Sequence, residues 1–234
     1  MHMFRRARLT TAALASLAVA LNGCAQGAQQ LDPRQLLQAA AGTTAALTSV
    51  QLDLKFGPGF QVQGVDLVSA AGKFRAPTDS DLVAKTRTAQ GFLQPEILTT
   101  GDQIYIKLFQ LQAFQPLSPA EAQQYPVITR MLDKKTGIAP AIARGRDPKL
   151  AGSEQVDGLD CYKIEALYGP AEMNQALAPL SLKGDVKTVL WIDKSEHLVR
   201  KVRFEGPLLA SGKDSFAEVH LHDFNRPVDI PSPS

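Results

Sequence analysis

Cysteine is nearly absent from this chain: 234 residues contain two, Cys24 and Cys161. With Cys24 spent on the N-terminal chemistry described below, no intramolecular disulfide can form and no thiolate zinc site can be assembled, so Cys161 reads as a small buried hydrophobe. Positive charge is also not in excess. The first 23 residues hold three of the 25 Lys and Arg and none of the 23 Asp and Glu, which leaves 22 against 23 and a net charge of −1 on the remainder. That balance argues against a nucleic-acid partner. Long apolar runs are missing too: a membrane-crossing helix needs about 20 apolar residues, and nothing after residue 23 supplies an uninterrupted dozen. Catalytic signatures are equally scarce. There is no Gly-x-Ser-x-Gly elbow, no Walker loop and no Gly-x-Gly-x-x-Gly opening a helix. Asp79 and Asp81 follow Pro77-Thr78 and read as a turn entering a strand. His220 and His222 share a strand face with Glu218, but no third ligand is signalled and solvent-facing residues explain them better. The expectation is a protein that is not an enzyme, with no metal and no cofactor.

What the chain does have begins at its N-terminus. Arg5, Arg6 and Arg8 precede a mostly apolar run from Leu9 to Leu21, the pattern of a secretory signal. The run ends in Leu21-Asn22-Gly23-Cys24, which resembles the lipobox of bacterial lipoproteins, with Asn22 departing from the usual small residue. Residues 1–23 therefore read as a lipoprotein signal peptide, Cys24 as the lipidated residue and 24–31 as a flexible tether. Its reach is roughly 15 Å. Residues 32–234 read as one domain.

Within that domain, Asp32-Pro33 starts a helix running to about Ala46, with Leu36, Ala40, Thr44 and Leu47 on one stripe. The period then changes to two, as Val50, Leu52, Leu54 and Phe56 alternate with Gln51, Asp53 and Lys55 before Gly57-Pro58-Gly59. Strands are expected at 61–69, 71–76, 81–88, 92–99 and 103–109, with a turn at Thr100-Gly101-Asp102. Ser118-Pro119-Ala120-Glu121 predicts a capped helix reaching about Leu132 with a kink at Pro126. An irregular stretch to Leu150 precedes a strand pair around Ser153–Tyr168 that turns at Asp157-Gly158. A helix from Pro170 to about Leu180 and strands at 185–193, 197–206 and 214–223 complete the series. Strands outnumber helices, and the helices interrupt them, which argues an α+β fold with one large antiparallel sheet.

The strand faces carry more apolar surface than three short helices can cover. If the parities hold, one face offers Leu52, Leu54, Phe56, Ile104, Ile106, Leu108, Val189, Trp191, Val202, Phe204, Val219 and Leu221. A gap over such a face would be a lipid site, and full interdigitation an ordinary core. A second feature is the basic rim Arg130, Lys134, Lys135, Arg144, Arg146 and Lys149 around the apolar run Ile138 to Ile142. That combination would suit a mouth admitting acyl chains beside an anionic surface.

The whole chain after the signal resembles the LppX/LprA/LprF/LprG lipoprotein family. The resemblance rests on Gly101-Asp102-Gln103-Ile104-Tyr105-Ile106, on Trp191-Ile192-Asp193 through Leu198-Val199-Arg200-Lys201-Val202, and most of all on Val219 to Pro231, where Asp223-Phe224 runs into Pro227-Val228-Asp229-Ile230. It implies a single curved antiparallel sheet, a half-barrel with helices across the concave face, similar to the LolA/LolB carriers, enclosing a space for the acyl chains of a lipid or glycolipid. The expected function is a membrane-anchored lipoprotein that carries or presents such a lipid in the cell envelope. It would sit on the extracytoplasmic side of the cell membrane, or at the outer membrane of a two-membrane organism, with a membrane transporter as a candidate onward partner. The alternative is an envelope sensor or scaffold that uses the same fold to bind a protein.

Overall fold

Asp32 accepts the Arg34 amide at 2.9 Å and Pro33 needs no partner for its nitrogen, so α1 (Pro33–Ala45) starts where the sequence places it. The computed structural model describes residues 31–62, 65–108, 113–123, 131–177, 182, 184–208 and 215–233. Leu31–Ser234 forms a compact unit by itself and contains every core residue.

After α1 come β1 (Ser49–Phe56), β2 (Gln61–Val62), β3 (Val65–Arg75), β4 (Asp79–Thr88), β5 (Gly91–Leu93), β6 (Glu96–Thr100), β7 (Gln103–Lys107) and β8 (Gln115–Pro116). Then α2 (Pro119–Ala122) and α3 (Ile138–Ala143) lead into β9 (Arg146–Val156), β10 (Leu159–Tyr168), α4 (Pro170–Leu177), β11 (Val186–Asp193), β12 (Val199–Gly206) and β13 (Ser215–His222). All strands join one antiparallel sheet, ordered β8-β7-β6-β4-β3-β1-β13-β12-β11-β10-β9, with β2 beside β3 and β5 beside β4. The chain enters at the middle strand, meanders to one edge, crosses through α2 and α3 to the other edge and meanders back. The two halves meet where β1 pairs with β13, with Leu52 opposite Leu221 and Leu54 opposite Val219. The sheet stays open and curls into a half-barrel. Leu36, Leu37 and Ala40 of α1, Ala141 and Ile142 of α3 and Met173 of α4 fill its concave side.

Several elements depart from expectation for identifiable reasons. The strands expected at 61–69 and 71–76 are β2 and the continuous β3, which absorbs an irregularity between Leu67 and Ser69. The strand expected at 92–99 splits into β5 and β6 at Gln94-Pro95, since proline has no N–H for the ladder. The stretch before Leu150 is not irregular. From Arg146 it is the edge strand β9, where Pro148 is tolerated because one side of the strand has no neighbour. The helix at Ser118 forms with its capping box, Ser118 and Glu121 bonding reciprocally, but ends at Ala122. Residues 124–130, with the expected kink, lie outside the described residues, and Met131 and Leu132 are in a turn. The helix expected to reach about Leu180 is α4, described to Leu177, and 178–180 lie outside the described residues.

The C-terminal segment is tied to the sheet centre. Asn225 accepts the Thr48 amide at 2.8 Å and its own amide reaches the Ser49 carbonyl at 2.9 Å, while the Arg200 guanidinium lies 4.7 Å from the Phe224 ring centroid. These contacts explain why Asp223-Phe224-Asn225 is a turn with a fixed position.

Candidate functional site

Register carries the apolar face across the whole sheet. One row runs Ile164, Leu190, Val202, Val219, Leu54, Ala70, Ala84 over seven strands. The adjoining row is Ala166, Thr188, Phe204, Ala217, Phe56. On the other side Leu52, Gly72, Leu82, Ile97 and Ile106 align. Small residues on β3 and β4 keep the floor thin there. A Cβ at Gly72 would come within 2.8 Å of Leu82 Cδ1 and 2.9 Å of Phe74 Cε2, so close approach itself requires glycine.

Cover over this face is uneven. Val50, Leu52, Phe74, Ile164, Leu190 and Ile192 are sealed in the core. Toward the rim where β1 ends, Leu54, Phe56, Leu67, Phe204 and Val219 pack against that core yet are only half-buried, as is Ile97 in the Leu52 row. Ile104 and Ile106 are half-buried on the same face. A concave surface that is apolar along rows of strands but incompletely covered is a trough for apolar chains. Two polar groups punctuate it: the Thr99 and Thr188 hydroxyls are buried without a hydrogen-bond partner among the described residues.

The structure therefore divides the twelve proposed lining residues. Leu54, Phe56, Ile104, Ile106, Phe204 and Val219 occupy the half-covered part. Leu52, Val202 and Leu221 belong to the closed core, with Val202 only 4% exposed. Leu108 lies beyond β7 and is 49% exposed. Val189 and Trp191 sit on the opposite, convex face in a separate cluster with Val156 and Cys161. There the Trp191 Nε1–H donates to Glu154 at 3.0 Å and Lys201 Nζ lies 4.0 Å from the ring centroid. The cause is the run Val189-Leu190-Trp191-Ile192. Four consecutive apolar residues define no parity, and the inward set is Thr188, Leu190, Ile192.

The expected entrance segment is also rearranged. Lys134 and Lys135 are exposed in a turn whose Asp133 carboxylate accepts the Lys135 and Thr136 amides at 2.8 and 2.7 Å. Ile138 is half-buried, Ile142 is core and Arg144 is exposed. Arg146 is neutralised by Asp185 and Glu172. The run 138–142 is not an apolar loop but α3, packed on α1 and held to β10 by the Tyr168 hydroxyl, which donates to the Ile142 carbonyl at 2.8 Å. Burial pushes the Tyr168 phenol far above its ordinary value, so it remains a donor at all physiological pH. Tyr168→Phe is expected to strand that carbonyl and lower stability by about 1–2 kcal/mol. Thermal unfolding reads this directly, and an unchanged midpoint would mean that α3 is held without the bond.

On the convex face His220 contacts Asp157 at 2.6 Å, while His222 contacts Asp223 at 3.0 Å and Asp53 at 3.4 Å. Each histidine is thus occupied by its own carboxylates, away from the trough. Asp79 begins β4 after the turn at residues 76–78, paired with Arg75 at 2.8 Å.

A family model described as the LppX_LprAFG lipoprotein matches residues 32–230. The chain belongs to this family. Relatives include the lipoarabinomannan carrier protein LprG of Mycobacterium tuberculosis, 21% identical over 239 residues that cover 99% of this chain and 96% of that protein. LprG of Mycolicibacterium smegmatis is 24% identical over 234 residues, covering 95% and 94%. Among solved structures, LprF from Mycobacterium bovis matches with a TM-score of 0.70 at 19% identity, covering 86% of this chain and 97% of that one. LppX from Mycobacterium tuberculosis matches at 0.61 and 19%, covering 85% and 98%. These likenesses establish the curved half-barrel as the family's fold.

Proposed function

We propose that this lipoprotein carries or presents the acyl chains of a lipid or glycolipid along the half-covered end of its concave face, held at the outer side of a membrane by a lipid on Cys24. The observation that carries the reading is the graded cover of one continuous apolar face, sealed under the helices and half-open from Leu54 to Phe56 and across to Phe204. Burial of acyl chains contributes about 0.8 kcal/mol per CH2, so a trough needs few specific hydrogen bonds. Thr99 and Thr188 supply hydroxyls for the few ester or hydroxyl oxygens of such a cargo. The LprG relatives are named lipoarabinomannan carrier proteins, which supports a lipid or glycolipid ligand. Cys24 and the tether 24–31 precede most of the described residues, and their role rests on the signal-like sequence.

Among the described residues no helix is long and apolar enough to cross a membrane, which fits an anchor outside the domain. Val219→Trp tests the trough. Val219 is half-buried, so the indole should fill open space, lowering bound lipid several-fold while the unfolding midpoint moves little. Wild-type lipid content with a large loss of midpoint would place Val219 in closed core and defeat the assignment.

A further inference from the structure

The largest exposed apolar side chain in the described domain is Phe92, 55% exposed, followed in sequence by Leu93 at 43%. Both stand on β5, the outer arm of a hairpin with the end of β4, where Phe92 lies opposite Arg87 and Leu93 opposite Thr86. Alternation sends Phe92 to the convex side and Leu93 to the concave side, so the tip is apolar on both faces. Lys85 Nζ lies 4.7 Å and Arg87 Cζ 5.3 Å from the Phe92 ring centroid. Among the described residues, the contacts of both cations are to this ring rather than to a carboxylate. Asp66, opposite Arg87 on β3, accepts instead from Gln61 at 2.7 Å. An exposed aromatic and an exposed leucine on a hairpin arm, with cations beside them that meet no carboxylate among the described residues, match the chemistry of an anionic bilayer surface: rings enter the interface and ammonium and guanidinium groups meet phosphate.

Placement in the fold points the same way. The antiparallel register puts the end of β4, the end of β1 and the end of β12 on one rim, which is also the half-covered end of the trough. The direction of α1 is fixed at both ends. Leu37, in its first half, lies against Gly145 just before β9 begins on this rim, while Thr43 Oγ1 donates at 2.8 Å to the His197 carbonyl between β11 and β12 on the opposite rim. The first turn of α1, where the tether joins the domain, therefore belongs to the rim of the hairpin.

We infer that the β4–β5 hairpin is a membrane-docking tip for anionic phospholipid surfaces, seating the half-covered end of the trough against the bilayer. The inference goes beyond the carrier reading and does not require it. It also moves the membrane contact from the 134–146 segment, where Ile142 is core and Arg146 is neutralised, to Lys85, Arg87, Phe92 and Leu93.

Flotation with vesicles tests this, using the chain from Ala25 onward so that no anchor contributes; every core residue lies within it. With phosphatidylcholine vesicles containing about one-third phosphatidylglycerol, the protein should float at low salt and less so as salt rises. Phe92→Ser with Leu93→Ser should reduce partitioning roughly tenfold or more. Lys85→Gln with Arg87→Gln should reduce it roughly tenfold or more at low salt only, since each basic residue near an anionic surface contributes roughly fivefold. All four side chains are at the surface or half-buried, so unfolding midpoints should hold. No flotation at low salt, or unchanged flotation of either double variant, would overturn the inference. Lipid extracted from the same preparations is a separate readout: a protein that floats but yields no lipid supports docking while defeating the carrier reading.

Discussion

Asp193→Ala is expected to lower folding stability by about 3–5 kcal/mol, enough to depress the unfolding midpoint by roughly 6–20 °C in a chain of this size. Asp193 is 1% exposed and ends β11. Its carboxylate accepts the Ser195 amide at 3.0 Å, the Ser195 hydroxyl at 3.1 Å, the Glu196 amide at 2.6 Å and Arg200 Nε at 2.9 Å. It thus closes the β11–β12 turn and holds a guanidinium that is itself mostly buried. Alanine leaves Arg200 without its main partner and removes the acceptor of two turn amides, the costly way to break a buried pair. Burial alone would raise the Asp193 carboxyl, but the Glu196 amide, Arg200 and Ser195 outweigh it and hold it below its ordinary value of 3.8. The stabilisation is therefore complete above that value and is lost as pH falls through the lower folded-state value. Chemical denaturation of wild type and Asp193→Asn should show a gap that is constant near neutrality and shrinks in strong acid. A gap below about 1 kcal/mol at neutrality, or one that widens in acid, would contradict this.

Cys24→Ser is expected to shift the protein from the membrane fraction almost entirely to the soluble one. Stable anchoring takes two acyl chains or an equivalent pair of signals, since one chain holds only marginally. The hairpin tip adds a reversible, salt-sensitive contact that cannot replace a diacylated cysteine. Detergent phase partitioning after cell fractionation separates the two cases. Retention of Cys24→Ser in the detergent phase would show that something other than Cys24 anchors the chain.

How far the sequence reveals this molecule depends on how each strand is buried. β1 was legible because one face is apolar and the other is Gln51, Asp53 and Lys55, so period two assigned Val50, Leu52, Leu54 and Phe56 to the same side. β11 was not, because Trp191 and Val189 are buried on the convex face while Leu190 and Ile192 are buried on the concave one. The end of β9, from Ser153 to the turn at Asp157-Gly158, was legible, whereas its first half from Arg146 was not, because this edge strand is exposed along nearly its whole length and shows no apolar alternation. The pairing of Leu52 with Leu221 is beyond any local pattern, because the two strands lie near opposite ends of the domain's sequence. The site divides the same way. Alternation finds the apolar floor, but whether Leu54 is open and Val202 closed depends on where α1, α3 and α4 lie, which no strand encodes. The tip at Phe92 and Leu93 was hidden for the converse reason, since exposed and core apolar residues look alike in a strand until the sheet is assembled.

Extraction and mass spectrometry of lipid bound to the chain from Ala25 onward, purified without detergent from a cell that makes complex envelope lipids, tests the central claim most directly. The account predicts acylated lipid at a substantial fraction of one molecule per protein, reduced in Val219→Trp. Protein that is folded and free of lipid from such cells, and that takes up none from vesicles, would contradict it.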